Sequence, residues 1–243
     1  DSPAGPAAAE AAAAEDFEAG EGSRDYAGHC VAALGAAREA LHGAEQRLGD
    51  LDAVAGDGDH GRGMVRGVDA AAAAAVEALA RGAGAGDVLA AAGDAWADKA
   101  GGTSGVLWGA GLRAFGESLG NEHTPDADDL AAAVQCFASR IVELGNAEIG
   151  DKTMVDALVP FTETLRRRSE GTDASGLVWV AAAGVATAAA EATAALRPRK
   201  GRARPLAEKS LGTPDPGATS LAMIFRVMGP HLTAVRQPAG AGS

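Results

Sequence analysis

Three aspartates fall within eight residues in the stretch Leu51-Asp52-Ala53-Val54-Ala55-Gly56-Asp57-Gly58-Asp59-His60-Gly61, at the mouth of a helical pattern. Carboxylates crowded this way repel one another and raise each other's pKa unless a cation sits among them. Hard divalent cations such as Mg²⁺ take oxygen ligands and complete their shell with water and phosphate oxygens. Asp57 and Asp59 are two residues apart, so an extended loop would send their side chains to opposite sides. A tight glycine turn lets both converge, with Asp52 reaching in from the preceding segment. A solvated Asp/Gly turn with Asp59 as the N-cap of the next helix accounts for the same residues. Spacing alone leaves these two readings open.

Several neighbouring patterns point to other chemistry and fail. Gly56-x-Gly58-x-x-Gly61 matches a dinucleotide-binding fingerprint, but no apolar strand precedes it, and its aspartates would repel a pyrophosphate lacking metal. Counted as an EF-hand from Asp57, the loop has Val68 at its twelfth position, where a bidentate glutamate is needed. In Gly145-Asn-Ala-Glu-Ile-Gly150-Asp151-Lys152-Thr153, Asp151 separates glycine from lysine and spoils a P-loop.

Other glycine turns open helical patterns. Gly101-Gly102-Thr103-Ser104-Gly105 would expose backbone N–H groups at a helix start, where the dipole favours an anion. An ordinary Ser/Thr N-cap explains the same residues. Gly150–Met154 and Asp215-Pro216-Gly217-Ala218-Thr219-Ser220 are further turns of this kind. Arg199, Lys200, Arg202 and Arg204 form the dense basic run of an acidic chain, either solvated surface or a face toward phosphate. A carboxylate cluster, several glycine-opened helices and a basic loop together are the parts of a Mg²⁺-nucleotide site, because phosphoryl transfer needs mainly positioning and charge neutralisation.

The elements that must position these residues are helical. Of 243 residues, 61 are alanine, so the larger apolar side chains are only about a fifth of the chain, and aromatics are 4%. Alanine is the best helix former and a poor filler of β-sandwich cores. Periodicity and start signals predict helices at about 25–48, 60–80, 85–99, 103–119, 126–144, 152–169, 174–196 and 216–236, with no alternating strand. Eight helices with short connections predict an all-α antiparallel barrel or bundle. Residues 1–23 hold Pro, Gly, Ala and Glu with almost no large apolar side chain and read as a linker, leaving 24–243 as one domain. A chain opening on such a linker reads as half of a longer fusion.

The formal net charge of −12 argues against nonspecific nucleic-acid binding. Two cysteines, Cys30 and Cys136, give no disulfide framework, so a reducing, cytoplasmic setting is expected. The longest mildly apolar run, Gly176–Leu196, is mostly alanine and is broken by Glu191, which argues against a membrane span.

Five segments appear in order: LDAVAGDGDHGRGM at 51–64, GGTSGVLWG at 101–109, GNAEIGDKTMVDA at 145–157, KGRA at 200–203 and DPGATS at 215–220. Together they closely resemble the nucleotide-binding DhaL-type domain of dihydroxyacetone kinases over about residues 25–236. The resemblance implies an eight-helix barrel with ATP or ADP at one end. It implies that Asp52, Asp57 and Asp59 hold two Mg²⁺ ions bridging the phosphates, and so act in catalysis through the metal. It also implies that His60, Gly61, Arg62, Gly63, Thr103, Ser104, Gly145, Met154, Arg202, Asp215, Pro216 and Gly217 line the nucleotide site, with Arg202 catalytic and the basic loop a lid. The chain departs from the family after KGRA, where Arg204-Pro205-Leu206-Ala207 replaces an aromatic and a glycine, and at Thr213-Pro214.

The family's other half, a DhaK-type domain holding the ketose through a histidine, has no counterpart motif in this sequence; His29, His42, His123 and His231 are scattered. The expected function is therefore the Mg-ATP phosphoryl-donor domain of a short-ketose kinase. It would need a fused or separate DhaK-type partner and would be homodimeric through that partner. A phosphotransferase-linked subunit with resident ADP, rephosphorylated by a phosphocarrier protein, is the alternative. A lipid-binding module like that of fatty-acid kinases is a third reading. Those domains carry Gly-Asp-Thr-Gly at the metal turn, where this chain has Gly58-Asp59-His60-Gly61.

Overall fold

Apolar residues at i, i+3 and i+4 give each helix one buried stripe, and closing those stripes on one another makes a ring. The computed structural model describes residues 17–169, 175–201 and 203–234. Within them lie α1 (Glu21–Ala53), α2 (His60–Ala80), α3 (Ala85–Ala100), α4 (Gly102–Leu119), α5 (Ala127–Gly145), α6 (Val155–Ser169), α7 (Ser175–Ala192) and α8 (Pro216–Leu232). Short 3-10 turns occupy Thr193–Ala195 and Arg204–Leu206, and no strand occurs among the described residues. Successive helices pack side by side, and α8 returns to α1, so the expected antiparallel all-α barrel is what forms. Tyr26 of α1 donates to the Leu232 carbonyl of α8 at 2.7 Å and locks the closing seam. Tyr26→Phe leaves that buried carbonyl without its partner, at a cost of about 1–2 kcal/mol. The expected fall in melting temperature is about 3–6 °C, read by thermal unfolding.

The core is aromatic despite the composition. Trp96 of α3 stacks on Trp108 of α4 with centroids 5.1 Å apart. Phe225 of α8 links Trp108, Phe137, Phe161 and Trp179, and the Trp179 indole donates to the Phe225 carbonyl at 2.6 Å. Alanine and glycine fill the spaces between neighbouring helices, so a few large rings suffice for the centre. The stretch Gly176–Ala195 is long and apolar enough to cross a bilayer by length and composition. Here that apolarity serves the barrel: Val178, Trp179, Ala182, Ala183, Ala186 and Ala190 are buried, while Leu177 and Val180 are exposed.

Several element ends differ from the sequence expectation. α1 is longer at both ends, and Ser23, inside the expected linker, is fully buried and accepts from the Ala85 amide at 2.9 Å. Residues 1–16 of that linker lie outside the described residues, as do Asp173 and residues 235 and 236. α5 starts as expected, with Asp126 and Asp129 forming a reciprocal capping box. α6 starts at Val155 rather than 152, because the Asp156 carboxylate accepts from the Gly150 and Thr153 amides at 2.5 and 2.8 Å and folds that stretch into a turn.

Candidate functional site

Up-and-down topology sends every even-numbered helix in the same direction, so α2, α4, α6 and α8 all begin at one end of the barrel. Their first residues, His60, Gly102, Val155 and Pro216, all line a single cavity of about 360 Å³ there. Four helix N-termini directed at one space concentrate positive partial charge there, which favours an anion.

The carboxylate turn sits at the rim. Ligand-capable atoms of Asp52, Asp57 and Asp59 all lie within 4.8 Å of one another; Asp57 is exposed and the other two half-buried. Asp59 occupies the N-cap position of α2 but makes no side-chain capping bond. Asp52 supplies it instead, accepting from the Asp59 amide at 3.0 Å and the His60 amide at 3.4 Å. The glycines permit this convergence. Gly58 has φ +75°, and a Cβ at Gly56 would collide with the Asp52 carboxylate. Three carboxylates this close, open on one side, are an oxygen donor set that suits a hard divalent cation.

Across the cavity, α4 begins at Gly102 with Gly101 as its N-cap, so Thr103 and Ser104 stand in its first turn rather than capping it. Both line the cavity, and the Ser104 hydroxyl is buried without a hydrogen-bond partner. A buried hydroxyl in that state is costly unless something else completes it. Gly63, Gly145, Met154, Asp215, Pro216 and Gly217 also line the space. His60 bonds Ser220 of α8 at 3.0 Å, and burial lowers its pKa, partly opposed by the Asp52 carboxylate.

Two sequence candidates fall elsewhere. Gly61 is buried under α1, where a Cβ would overlap the Glu45 carbonyl oxygen, so its role is close helix approach. Arg62 is exposed and does not line the cavity. One turn further on, Arg66 does, and it donates to the Ala100 and Lys99 carbonyls at 3.2 and 3.4 Å beside the α4 start. Arg202 lies outside the described residues. Its neighbours Lys200, Gly201 and Ala203 line the cavity. Of the other cavity-lining residues, sequence reasoning passed over Arg66 and noted Lys152 and Thr153 only within the failed P-loop pattern and the Gly150–Met154 turn. A spacing of three from Gly63 on one helix could have signalled Arg66; the partners of Lys152 lie too far along the chain to signal it.

Asp215 caps α8, accepting from the Ala218 amide at 2.7 Å, while its own amide donates to Thr193 Oγ1 at 2.7 Å. Desolvation, reinforced by the Asp156 charge and opposed by Lys152, pushes its pKa up to about 7. An ordinary aspartate titrates near about 3.9 when unfolded. The folded chain therefore binds this proton more tightly, and the associated stability is present at low pH and lost as pH rises toward 7. Asparagine keeps the cap and never ionises. In ligand-free protein, the melting temperature of Asp215→Asn should gain on wild type progressively between about pH 4 and pH 7, with the gap constant above about pH 8. A gap independent of pH would remove the assignment.

The arrangement is an all-α barrel with a three-carboxylate turn and four helix starts on one cavity at one end. Residues 54–229 match the DAK2 domain. The chain is 58% identical over 201 residues to a D-erythrulose kinase of Mycolicibacterium smegmatis, covering 83% of this chain and 35% of that one. It is 34% identical over 185 residues to the ADP-binding subunit DhaL of a PEP-dependent dihydroxyacetone kinase of Escherichia coli, covering 74% and 85%. It superposes on the dihydroxyacetone kinase of C. freundii in complex with AMP-PNP and Mg²⁺ with a TM-score of 0.61 and 25% identity, over 94% of this chain and 37% of that one. This chain belongs to the DAK2-domain family, as a DhaL-type domain of the ketose kinases. It spans about a third of the length of erythrulose-kinase relatives.

Proposed function

We propose that this chain is the nucleotide-binding, phosphoryl-donating domain of an ATP-dependent short-ketose kinase. The observation that carries the reading is the meeting of the Asp52/Asp57/Asp59 turn and four helix N-termini on one cavity. Bound Mg²⁺, one or two ions, would neutralise phosphate charge, which is the main requirement of phosphoryl transfer. Asp52 orients the turn through the Asp59 and His60 amides with one carboxylate oxygen, and with Asp57 and Asp59 would face the cation. The α4 start, with Thr103 and the unpartnered Ser104 hydroxyl, would hold phosphate oxygens. Leu107, Ile141, Ala147 and Met154 give the apolar wall against which a base would lie, the thioether adapting to its shape. Relatives named erythrulose kinases support a ketose acceptor, which a DhaK-type domain, fused or separate and the seat of any homodimer, would present. A reducing, cytoplasmic setting suits that chemistry.

A second reading, a phosphotransferase-linked subunit with resident ADP, draws on the DhaL relatives named as ADP-binding. One experiment separates the two. Nucleotide released from the denatured chain is identified, and its exchange against labelled ATP is timed with and without chelator. Fast, chelator-sensitive ATP exchange is expected. Stoichiometric ADP that does not exchange would overturn the ATP-dependent reading in favour of the second, and no nucleotide binding would overturn both.

A further inference from the structure

The basic loop at the cavity mouth is pinned by one buried side chain that the proposed chemistry does not use. The Lys152 ammonium donates to the Leu196 carbonyl at 3.1 Å, the Ser210 carbonyl at 2.7 Å and Ser210 Oγ at 3.1 Å. An ammonium has three donors, so all three are engaged, and they tie positions 196 and 210, on either side of the basic run within the 196–215 connection. Between those positions lie Lys200, Gly201 and Ala203, which line the cavity. A second tie runs alongside, from the Arg199 amide to the Asp151 carbonyl at 3.0 Å.

The turn that presents Lys152 is over-determined. Asp156 accepts from the Gly150 and Thr153 amides, and the Asp151 carboxylate accepts from the Glu148 amide at 3.0 Å. These bonds hold Lys152 at φ +61°, in the left-handed region that a lysine enters at a cost. The residue is 5% exposed. Burying an ammonium costs several kcal/mol unless its bonds are made. That desolvation also lowers its pKa, opposed by Asp215. Strained backbone, a buried charge and full satisfaction by two loop positions form a built device.

We propose that Lys152 is a positioning residue that staples the loop at positions 196 and 210 and so sets Lys200 at the mouth of the cavity. The proposal rests on the nucleotide reading only for what the loop faces; the staple itself is independent of it.

Trypsin tests the staple in the ligand-free chain, since the loop carries cleavable Arg199, Lys200 and Lys209. Lys152→Met keeps the length and removes the donors. Tyr26→Phe, at the distant α1–α8 seam, serves as a variant destabilised without touching the loop. Cleavage within 199–209, mapped by mass spectrometry, should accelerate at least tenfold in Lys152→Met and less than twofold in Tyr26→Phe. Equal rates in Lys152→Met and wild type, or equal acceleration in both variants, would overturn the staple. The positioning role predicts Mg-ADP affinity weakened about tenfold in Lys152→Met, with Mn²⁺ affinity, measured without nucleotide, within twofold of wild type. Unchanged Mg-ADP affinity, or Mn²⁺ affinity lost together with it, would overturn the positioning role. If wild type binds no Mg-ADP, the nucleotide reading fails, while the trypsin comparison still decides the staple.

Discussion

Asp57→Ala is expected to weaken Mg²⁺-dependent nucleotide binding at least 100-fold while the barrel unfolds within about 2 °C of wild type. Asp57 is exposed, whereas Asp52 also accepts from the Asp59 and His60 amides and holds the turn. Removing Asp57 therefore deletes a proposed metal ligand while the Asp52 bonds at the helix start remain. Losing a group that merely orients a metal ligand typically costs about 10–100-fold in metal affinity, so losing a ligand itself sits at or beyond that range. Surface substitutions away from packed features usually change stability by no more than about 0.5 kcal/mol. Relief of repulsion between carboxylates within 4.8 Å works in the stabilising direction when no cation is present. Asp59→Ala should behave the same way in binding. Calorimetric titration with Mg-ATP, paired with thermal unfolding, reads both quantities. Wild-type affinity in either variant would mean that the turn is a solvated loop and the cation site lies elsewhere.

The second large effect is on stability, and it comes from the α3–α4 crossing. A Cβ on Gly93 would lie 2.5 Å from the Gly109 carbonyl oxygen, and one on Gly109 would lie 2.5 Å from the Gly93 carbonyl oxygen. Seven residues earlier on α3 and seven later on α4, Gly86 and Gly116 repeat the contact, with approaches of 2.9 and 2.5 Å. Two helices crossing backbone to backbone cannot accept a methyl group by side-chain rearrangement. Overpacking of this kind costs about 1–3 kcal/mol and more where backbone must move. Gly93→Ala is thus expected to cost about 3 kcal/mol and to lower the melting temperature by about 6–12 °C. Gly35→Ala on α1 is the contrasting variant, since nothing lies within 4 Å of its added Cβ. There alanine removes glycine's helical penalty, and stability should rise by about 0.5–1 kcal/mol. Opposite signs for the same chemical change isolate packing from propensity. The crossing matters beyond stability, because α4 carries Thr103 and Ser104 into the cavity. Its displacement should lower nucleotide affinity as well.

Helix identity and order were legible because they are local properties. Alanine-rich periodic segments punctuated by glycine and proline define the eight helices, and side-chain caps at Asp126 and Asp215 start α5 and α8 where the residues indicate. The convergence of Asp52, Asp57 and Asp59 was legible for the same reason, since all three lie on one short turn whose glycines dictate its shape. The Gly61 and Arg62 expectations rested on adjacency to that turn. Once the chain enters a helix, successive residues point about 100° apart, so position 61 is buried under α1, position 62 faces solvent, and Arg66 lines the cavity. The start of α6 was displaced by three residues, because hydrogen bonds of Asp156 outweigh the helical tendency of 152–154.

What only the tertiary structure decided is which distant groups complete one another. By itself, Lys152 is only the lysine that Asp151 separates from its glycine in a failed P-loop pattern; its partners are 44 and 58 positions away. The pKa of Asp215 depends on desolvation and on the charges of Asp156 and Lys152, brought near only by barrel closure. The four N-termini share a cavity because the helices alternate in direction and the ring shuts between α8 and α1, a seam that includes a bond across 206 positions. Local propensity and turn chemistry act over a few residues and can be read along the chain. Burial, close glycine approach and long-range hydrogen bonding depend on distances that exist only after the ring has closed.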